Sequence, residues 1–296
     1  MATTDLTLSK PLGKVRAYIL RIAGLSTTAQ KVLRICNEPN TCANDLNRVI
    51  SLDPVLTGRV LQLINSAYYS LPSKVNSLTR AIILLGLNTV KNLVLSFAVF
   101  ESFSKHDTFR AFSASDFWAH SLSVAAASKL LSIQHGVPLQ EREDYFVAGL
   151  MHDIGKIPLN HLFPGEYRQA VELALGSGRE TRFGEQEVIG VDHCEVGDMI
   201  ARKWQLSPAF AAALGRHHDP PEEAEEGMRM AGVVGFADIL AHGMGAGIPG
   251  GGSMDENERQ RALAAWNLTS EALAALTAAV AVEIERARVF LEIAQR

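Results

Sequence analysis

Apolar positions recur every three or four residues along nearly the whole chain, the spacing of one face of a helix. Behind Asp53-Pro54, the residues Leu56, Val60, Leu63 and Ile64 form such a face. Asp53 suits the N-cap, and Pro54 suits the first helical position, where a missing N–H costs nothing. Ser207-Pro208 repeats this start signal ahead of Phe210, Ala213 and Leu214. Thr27 and Gln30 have the spacing of a capping box for a helix through Val32, Leu33 and Ile35. A last helix, capped near Thr269, sets Leu273, Leu276, Val280 and Ile284 on one face. No run alternates apolar and polar residues convincingly, and no Asn-Gly or Asp-Gly hairpin turn occurs. The pattern predicts an all-α fold without internal repeats.

Breaks in the pattern divide the chain. Leu71-Pro72-Ser73 is expected to end one helix, and the stretch from Ser104 to Ser113 to separate two bundles. Asp219-Pro220-Pro221 precedes the acidic run Glu222 to Glu226, which reads as a solvated first turn whose charge complements the helix dipole. The glycine-rich stretch Gly243 to Ser253 reads as a flexible connector, because a phosphate-cradling loop needs a strand before it. Three units follow: an N-terminal helical subdomain at 14–105, a second helical subdomain at 111–242, and a C-terminal helical extension at 254–296. Leu93, Val94, Phe97 and Phe100 supply more apolar surface than one small bundle needs, so the first two units are expected to share an interface.

Composition sharpens the picture by exclusion. With 296 residues, 47% hydrophobic and 20% charged, the chain can bury a large core. A net charge of −4 without a basic cluster argues against direct nucleic-acid binding. The three cysteines (Cys36, Cys42, Cys194) are few and irregularly spaced, which fits a reducing compartment. The start of the chain lacks the pattern of a signal peptide. The most apolar stretch, Ala81 to Phe100, is interrupted by Gly86, Asn88, Lys91 and Asn92, and reads as a buried core helix rather than a membrane span. A cytoplasmic location is expected.

The candidate chemistry lies in His120, His152, Asp153, His193, His217, His218 and Asp238. Asp238 sits in the apolar run Val233 to Leu240, and an ionised carboxylate buried there is costly unless paired or metal-bound. Adjacent side chains on a helix diverge by about 100°, so the doublets His152-Asp153 and His217-His218 can each present two donors to one cavity. Two metals about 3.5–4 Å apart would use the whole set, with Asp153 as the natural bridge. Imidazole and carboxylate donors suit Fe, Mn, Zn or Ni. Taken singly, each histidine is an ordinary structural residue. His106, His135, His161 and His242 are read that way, and Cys194 as a buried thiol on another face.

The sequence also resembles a known family. Asp53-Pro54, Asn65-Ser-Ala-Tyr68, Ser77-Leu-Thr-Arg-Ala-Ile82 leading to Leu85-Gly86, Trp118-Ala-His120, Gly149-Leu-Met-His-Asp-Ile-Gly-Lys156, His193-Cys-Glu-Val-Gly197, Trp204-Gln-Leu-Ser-Pro208 and His217-His-Asp-Pro220 are together similar to the HDOD family, the HD-related output domain of the HD superfamily. The resemblance spans about Leu25 to Leu240. It implies an N-terminal helical bundle packed on an HD-like helical bundle, and a role in bacterial signal transduction as a regulatory or interaction module. The related HD-GYP family hydrolyses cyclic di-GMP with two or more metals. Its ligands map by order onto the seven residues above, and Lys156 onto a phosphate-contacting lysine. The Gly-Tyr-Pro signature is absent, with Asp219-Pro220 in its place.

Three functions are compatible with these features. One is a signalling adaptor acting through unidentified protein partners, since nothing before Thr27 or after Asp238 looks like a receiver or a cyclase. The second is a metal-dependent phosphohydrolase in which Lys156 steadies developing charge. The third is a ligand sensor that kept the pocket without turnover. Tyr69, in Asn65 to Pro72, is expected to be exposed as part of a docking surface, with Tyr68 in the core and its hydroxyl bonded to backbone.

Overall fold

The computed structural model describes residues 10–21, 25–36, 38, 40–103, 109–219, 228–246, 264, 266 and 269–295. The acidic run Glu222 to Glu226, His106, and the connector beyond residue 246 lie outside these residues. All regular structure among the described residues is helical. In chain order the α-helices are α1 (Lys10–Arg21), α2 (Thr27–Cys36), α3 (Ala43–Ile50), α4 (Pro54–Ile64), α5 (Leu78–Leu85), α6 (Leu87–Phe103), α7 (Ala114–Gln134), α8 (Arg142–Met151), α9 (Lys156–Leu162), α10 (Pro164–Ser177), α11 (Thr181–Val188), α12 (His193–Lys203), α13 (Pro208–Arg216), α14 (Met228–Gly243) and α15 (Ser270–Ala294).

Two start signals are met in detail, whereas Ser207 precedes Pro208 of α13 without a side-chain cap. The Asp53 side chain accepts from the Leu56 N–H, and Pro54 opens α4. Thr269 accepts from Ala272 at the head of α15. One cap moves: Ser26, not Thr27, accepts the Ala29 N–H, and Gln30 turns back to the Leu25 carbonyl. The helix expected to end at Leu71-Pro72-Ser73 stops earlier, at Ile64. Asn65 then holds the following loop, its Oδ1 accepting from Val75 N at 2.7 Å and its Nδ2 donating to Val75 O at 2.8 Å.

Helix α6 joins the two bundles. It packs on α2, α4 and α5 of the first and on α8 of the second, and the stretch from Asn92 through Phe100 is buried throughout. Gly86, at φ +89, takes a backbone conformation that favours glycine and turns α5 into α6 through 118°. Leu93, Val94, Phe97 and Phe100 fill the shared interface as expected. Phe100 meets Trp118 at 4.8 Å between ring centroids, and Phe97 stacks on Phe290 of α15 at 5.0 Å. The C-terminal helix is thus part of the core, lying on α7, α4 and α6. At the other end of the chain, α1 packs on α9 and α12.

The junction also carries charge. Asp144 of α8 accepts from Asn88, Lys91 and Asn92 of α6. Lys129 of α7 pairs with Glu143 and donates to the Tyr68 hydroxyl, rather than that hydroxyl finding backbone. Tyr69 is not exposed, against expectation. It is half-buried, its hydroxyl lies 3.4 Å from Glu143, and the Lys129 ammonium sits over its ring. The reason is geometric: the chain has left the helix by residue 65, so helical spacing no longer separates the two tyrosines.

No single helix among the described residues is long and apolar enough to cross a membrane. The bent pair α5–α6 passes by composition alone, and α6 is occupied by the core on most sides.

Candidate metal centre

The second bundle brings all seven candidate residues to one place. His120 projects from the first half of α7, and α14 lies beside it with Asp238. His152 and Asp153 stand at the end of α8, in the turn leading to α9, and His217-His218 just past the end of α13, beside helices as the sequence suggested. His193 is the first residue of α12, capped by Asp192. The ligand-bearing segments also touch at glycines: a methyl group on Gly155 would lie 1.9 Å from the His193 carbonyl oxygen, and one on Gly235 2.0 Å from that of His217.

Asp153 is the hub. Its Oδ2 lies 3.5 Å from His120 Nε2 and 3.4 Å from His152 Nε2, while Oδ1 lies 3.5 Å from His193 Nε2 and 3.9 Å from His217 Nε2. Asp238 Oδ1 is 3.1 Å from His120 Nε2 and 3.5 Å from His152 Nε2. His218 Nε2 is 3.1 Å from His193 Nε2. Lys156, one turn on from Asp153, places its ammonium 2.6 Å from Oδ2. Apart from His218, each of these residues is buried.

The other face of each imidazole fixes its proton. Nδ1 of His120 lies 2.8 Å from the Ala246 carbonyl, that of His152 2.8 Å from Gly149 and that of His217 3.0 Å from Ala213. His193 Nδ1 lies 2.6 Å from Glu185, whose carboxylate also accepts the His193 N–H. Carbonyls and carboxylates only accept, so Nδ1 carries hydrogen and each Nε2 presents a lone pair. Those lone pairs face the carboxylate oxygens. Nε2 of His120, His152 and His217, with Oδ1 of Asp153 and of Asp238, have no hydrogen-bond partner. Buried acceptors facing acceptors are costly unless a cation lies among them. Metal–donor bonds of about 2.0–2.2 Å put neighbouring donors about 3 to 3.6 Å apart, which most of these spacings match. The second-contact pattern, imidazole N–H to carbonyl or carboxylate, is the one that orients metal-ligating histidines. The residues therefore fit a divalent ion, and the groups His120–His152–Asp153 and His193–His217–His218 could each hold one.

Protons can occupy the same role. Burial lowers the affinity of His120 for a proton, but its contacts with Asp153 and Asp238 outweigh that and raise its pKa to about 9. His193 is held well above the ordinary value for histidine, the Glu185 charge overcoming burial. Burial and the neighbouring imidazoles push His217 and His218 well below it. Asp153 and Asp238 stay well below the usual carboxylate range despite burial, Asp153 through His152 and Lys156, Asp238 through His242 and His120. Three carboxylates against one ammonium leave two negative charges, balanced by protons on His120 and His193 or by one divalent ion. Metal uptake at neutral pH is thus expected to release about two protons. The sign follows from His120: its stabilising proton is fully present below the unfolded pKa and lost as pH rises through about 9. Metal competes with that proton, so metal-induced stabilisation grows between pH ~6 and ~9. Thermal melts with and without metal across that range check this. A flat or falling difference contradicts it.

Three residues of the centre were misread or passed over in the sequence. Glu185 orients His193 from α11 and has no sequence neighbour to signal it. His242 is not ordinary: it lies one turn after Asp238, its ring 4.7 Å from that of His120. The i, i+4 spacing from Asp238 was the available signal. Cys194 does not point away from the cluster; its sulfur lies within 4.8 Å of donor nitrogens of His193, His217 and His218. Burial raises its thiol pKa, which keeps it protonated at neutral pH.

Residues 22–220 match the HDOD domain. A solved HDOD domain protein from Geobacter sulfurreducens superposes over 95% of this chain and 97% of its own, at 25% identity and a TM-score of 0.72. A candidate phosphohydrolase from Shewanella amazonensis covers 93% and 97% at 22% identity and a TM-score of 0.70. A candidate signal-transduction protein from Marinobacter aquaeolei has a TM-score of 0.74 at 18% identity, over 97% of this chain and 66% of its own. An uncharacterised protein of Treponema pallidum is 22% identical over 218 residues, 74% of this chain, which spans only 42% of that curated relative's length.

Proposed function

We propose that this chain, which belongs to the HDOD domain family, is a regulatory module of bacterial signalling that holds a divalent metal in a closed centre and acts through a protein partner. The observation that carries the reading is enclosure. The donors His120, His152, Asp153, His193 and His217 are each at most 3% exposed and Asp238 is 5% exposed, with His218, its side chain 15% exposed, at the edge. Structural metal sites are closed, whereas catalytic ones keep a position open to substrate. The signal-transduction description of the Marinobacter protein accords with this reading. The metal is Fe, Mn, Zn or Ni by donor chemistry, and the division of the nitrogens between the two Asp153 oxygens suits one ion or two.

A second reading, a metal-dependent phosphohydrolase acting on a cyclic dinucleotide or nucleotide, is favoured by one observation. Lys156 sets a cation beside the Asp153 carboxylate, where it would bind a phosphate oxygen. A bound divalent ion there supplies Lewis acidity and lowers the pKa of its water. The name given to the Shewanella protein points the same way. The test is protein loaded with each of Fe, Mn, Zn and Ni and incubated with a panel of cyclic dinucleotides, nucleotides and simple phosphodiesters. The closed centre predicts no turnover. Hydrolysis that disappears in Asp153→Ala would establish the second reading instead.

A further inference from the structure

Three imidazole nitrogens surround Asp238 Oδ1: His120 Nε2 at 3.1 Å, His152 Nε2 at 3.5 Å and His242 Nδ1 at 3.0 Å. They are not equivalent. The Nδ1 atoms of His120 and His152 donate to carbonyls, so their Nε2 atoms present lone pairs. His242 is turned the other way. Its Nδ1 also lies 3.0 Å from the Asp238 backbone carbonyl, which can only accept, so this nitrogen carries hydrogen. Its N–H is bonded to that carbonyl and sets a positive edge 3.0 Å from Oδ1 without a hydrogen bond to it, and once Nε2 of His120 and His152 is given to a metal, His242 is the one of the three that still faces the carboxylate with positive charge. Asp238 and His242 are one turn apart on α14, and Ala246, just beyond the end of that helix, grips the far side of His120. The end of α14 therefore holds His120 through Nδ1 and sets the Asp238 carboxylate 3.1 Å from its Nε2, with His242 behind that carboxylate.

We infer that His242 is a positioning residue of the centre: it fixes the Asp238 carboxylate with Oδ1 turned to His120 and His152, and so tunes metal affinity without ligating the metal. The inference rests on the metal-holding reading above. His242 has a side chain 13% exposed, at the rim of the cluster, so its truncation leaves the core packing in place.

The test is metal titration of the full chain with Zn and with Mn, following affinity and ions bound per chain, for wild type, His242→Ala and His242→Asn. Asparagine keeps a donor near the place of Nδ1. His242→Ala is expected to bind about tenfold to a hundredfold more weakly, the usual effect of removing an outer partner of a ligand, with unchanged stoichiometry. His242→Asn is expected to recover most of that loss. Wild-type affinity in His242→Ala overturns the inference and leaves the metal centre standing. One fewer ion per chain overturns it in favour of direct ligation, and failure of asparagine to restore binding overturns the donor role. A wild type that takes up neither metal overturns both this inference and the reading beneath it.

Discussion

Saturating metal is expected to raise the unfolding temperature of the wild-type protein by roughly 10 °C, and that of Asp153→Ala by nothing measurable. Among the described residues, Asp153 is the only one whose two oxygens face both groups of nitrogens, His120 and His152 on one side and His193 and His217 on the other. Without it the two groups of nitrogens lose the carboxylate they share. A ligand at about a thousand times its dissociation constant stabilises the state that binds it by about 4 kcal/mol. For a chain of this size each kcal/mol shifts the midpoint by about 2–4 °C. Calorimetry of both proteins with and without metal measures the difference. Equal shifts in the two would remove Asp153 from its place in the centre.

The second large effect concerns backbone, not donors. Gly155→Ala is expected to destabilise the protein by about 3 kcal/mol, the upper end of overpacking penalties, and to weaken metal binding with it. Its backbone is ordinary right-handed helix, at φ −63, so conformation is not the obstacle. The obstacle is the His193 carbonyl oxygen, 1.9 Å from where the methyl would stand, with Gly197 N at 2.8 Å. Relief requires α12 to move away from α9, and α12 carries His193. Gly58→Ala is the contrast: it lies mid-helix in α4 with nothing within 4 Å. That change should gain up to about 1 kcal/mol from helix propensity. Denaturant melts of the pair separate steric contact from glycine chemistry, and a Gly155→Ala protein as stable as wild type would contradict the packing described for α9 and α12.

What was legible in the sequence was local or typed by chemistry. Asp53-Pro54 and Thr269 announce their helices because a cap acts within three residues. His152-Asp153 and Asp238 stood out because ionisable groups in apolar surroundings need a partner. The misreadings share a cause as well. Tyr69 was placed by helical spacing in a stretch where the helix had already stopped, a boundary set by Asn65 reaching Val75 ten residues on. Glu185 acts on His193 from a separate helix across an eight-residue gap, and Cys194 reaches His218 through the packing of α12 on α13. Such contacts are tertiary, and no periodicity carries them. His242 is different. Its one-turn spacing from Asp238 was visible, but significance came only with His120 arriving from α7.

Whether the enclosed donors hold metal decides between a metal centre and a protonated cluster. Elemental analysis of the purified wild-type chain beside Asp153→Ala tests that directly. At least one transition-metal ion per wild-type chain, Fe, Mn, Zn or Ni, is expected, and essentially none in the variant. A wild-type protein that stays metal-free after incubation with each of these ions, or a variant carrying the same metal as the wild type, would contradict the metal centre.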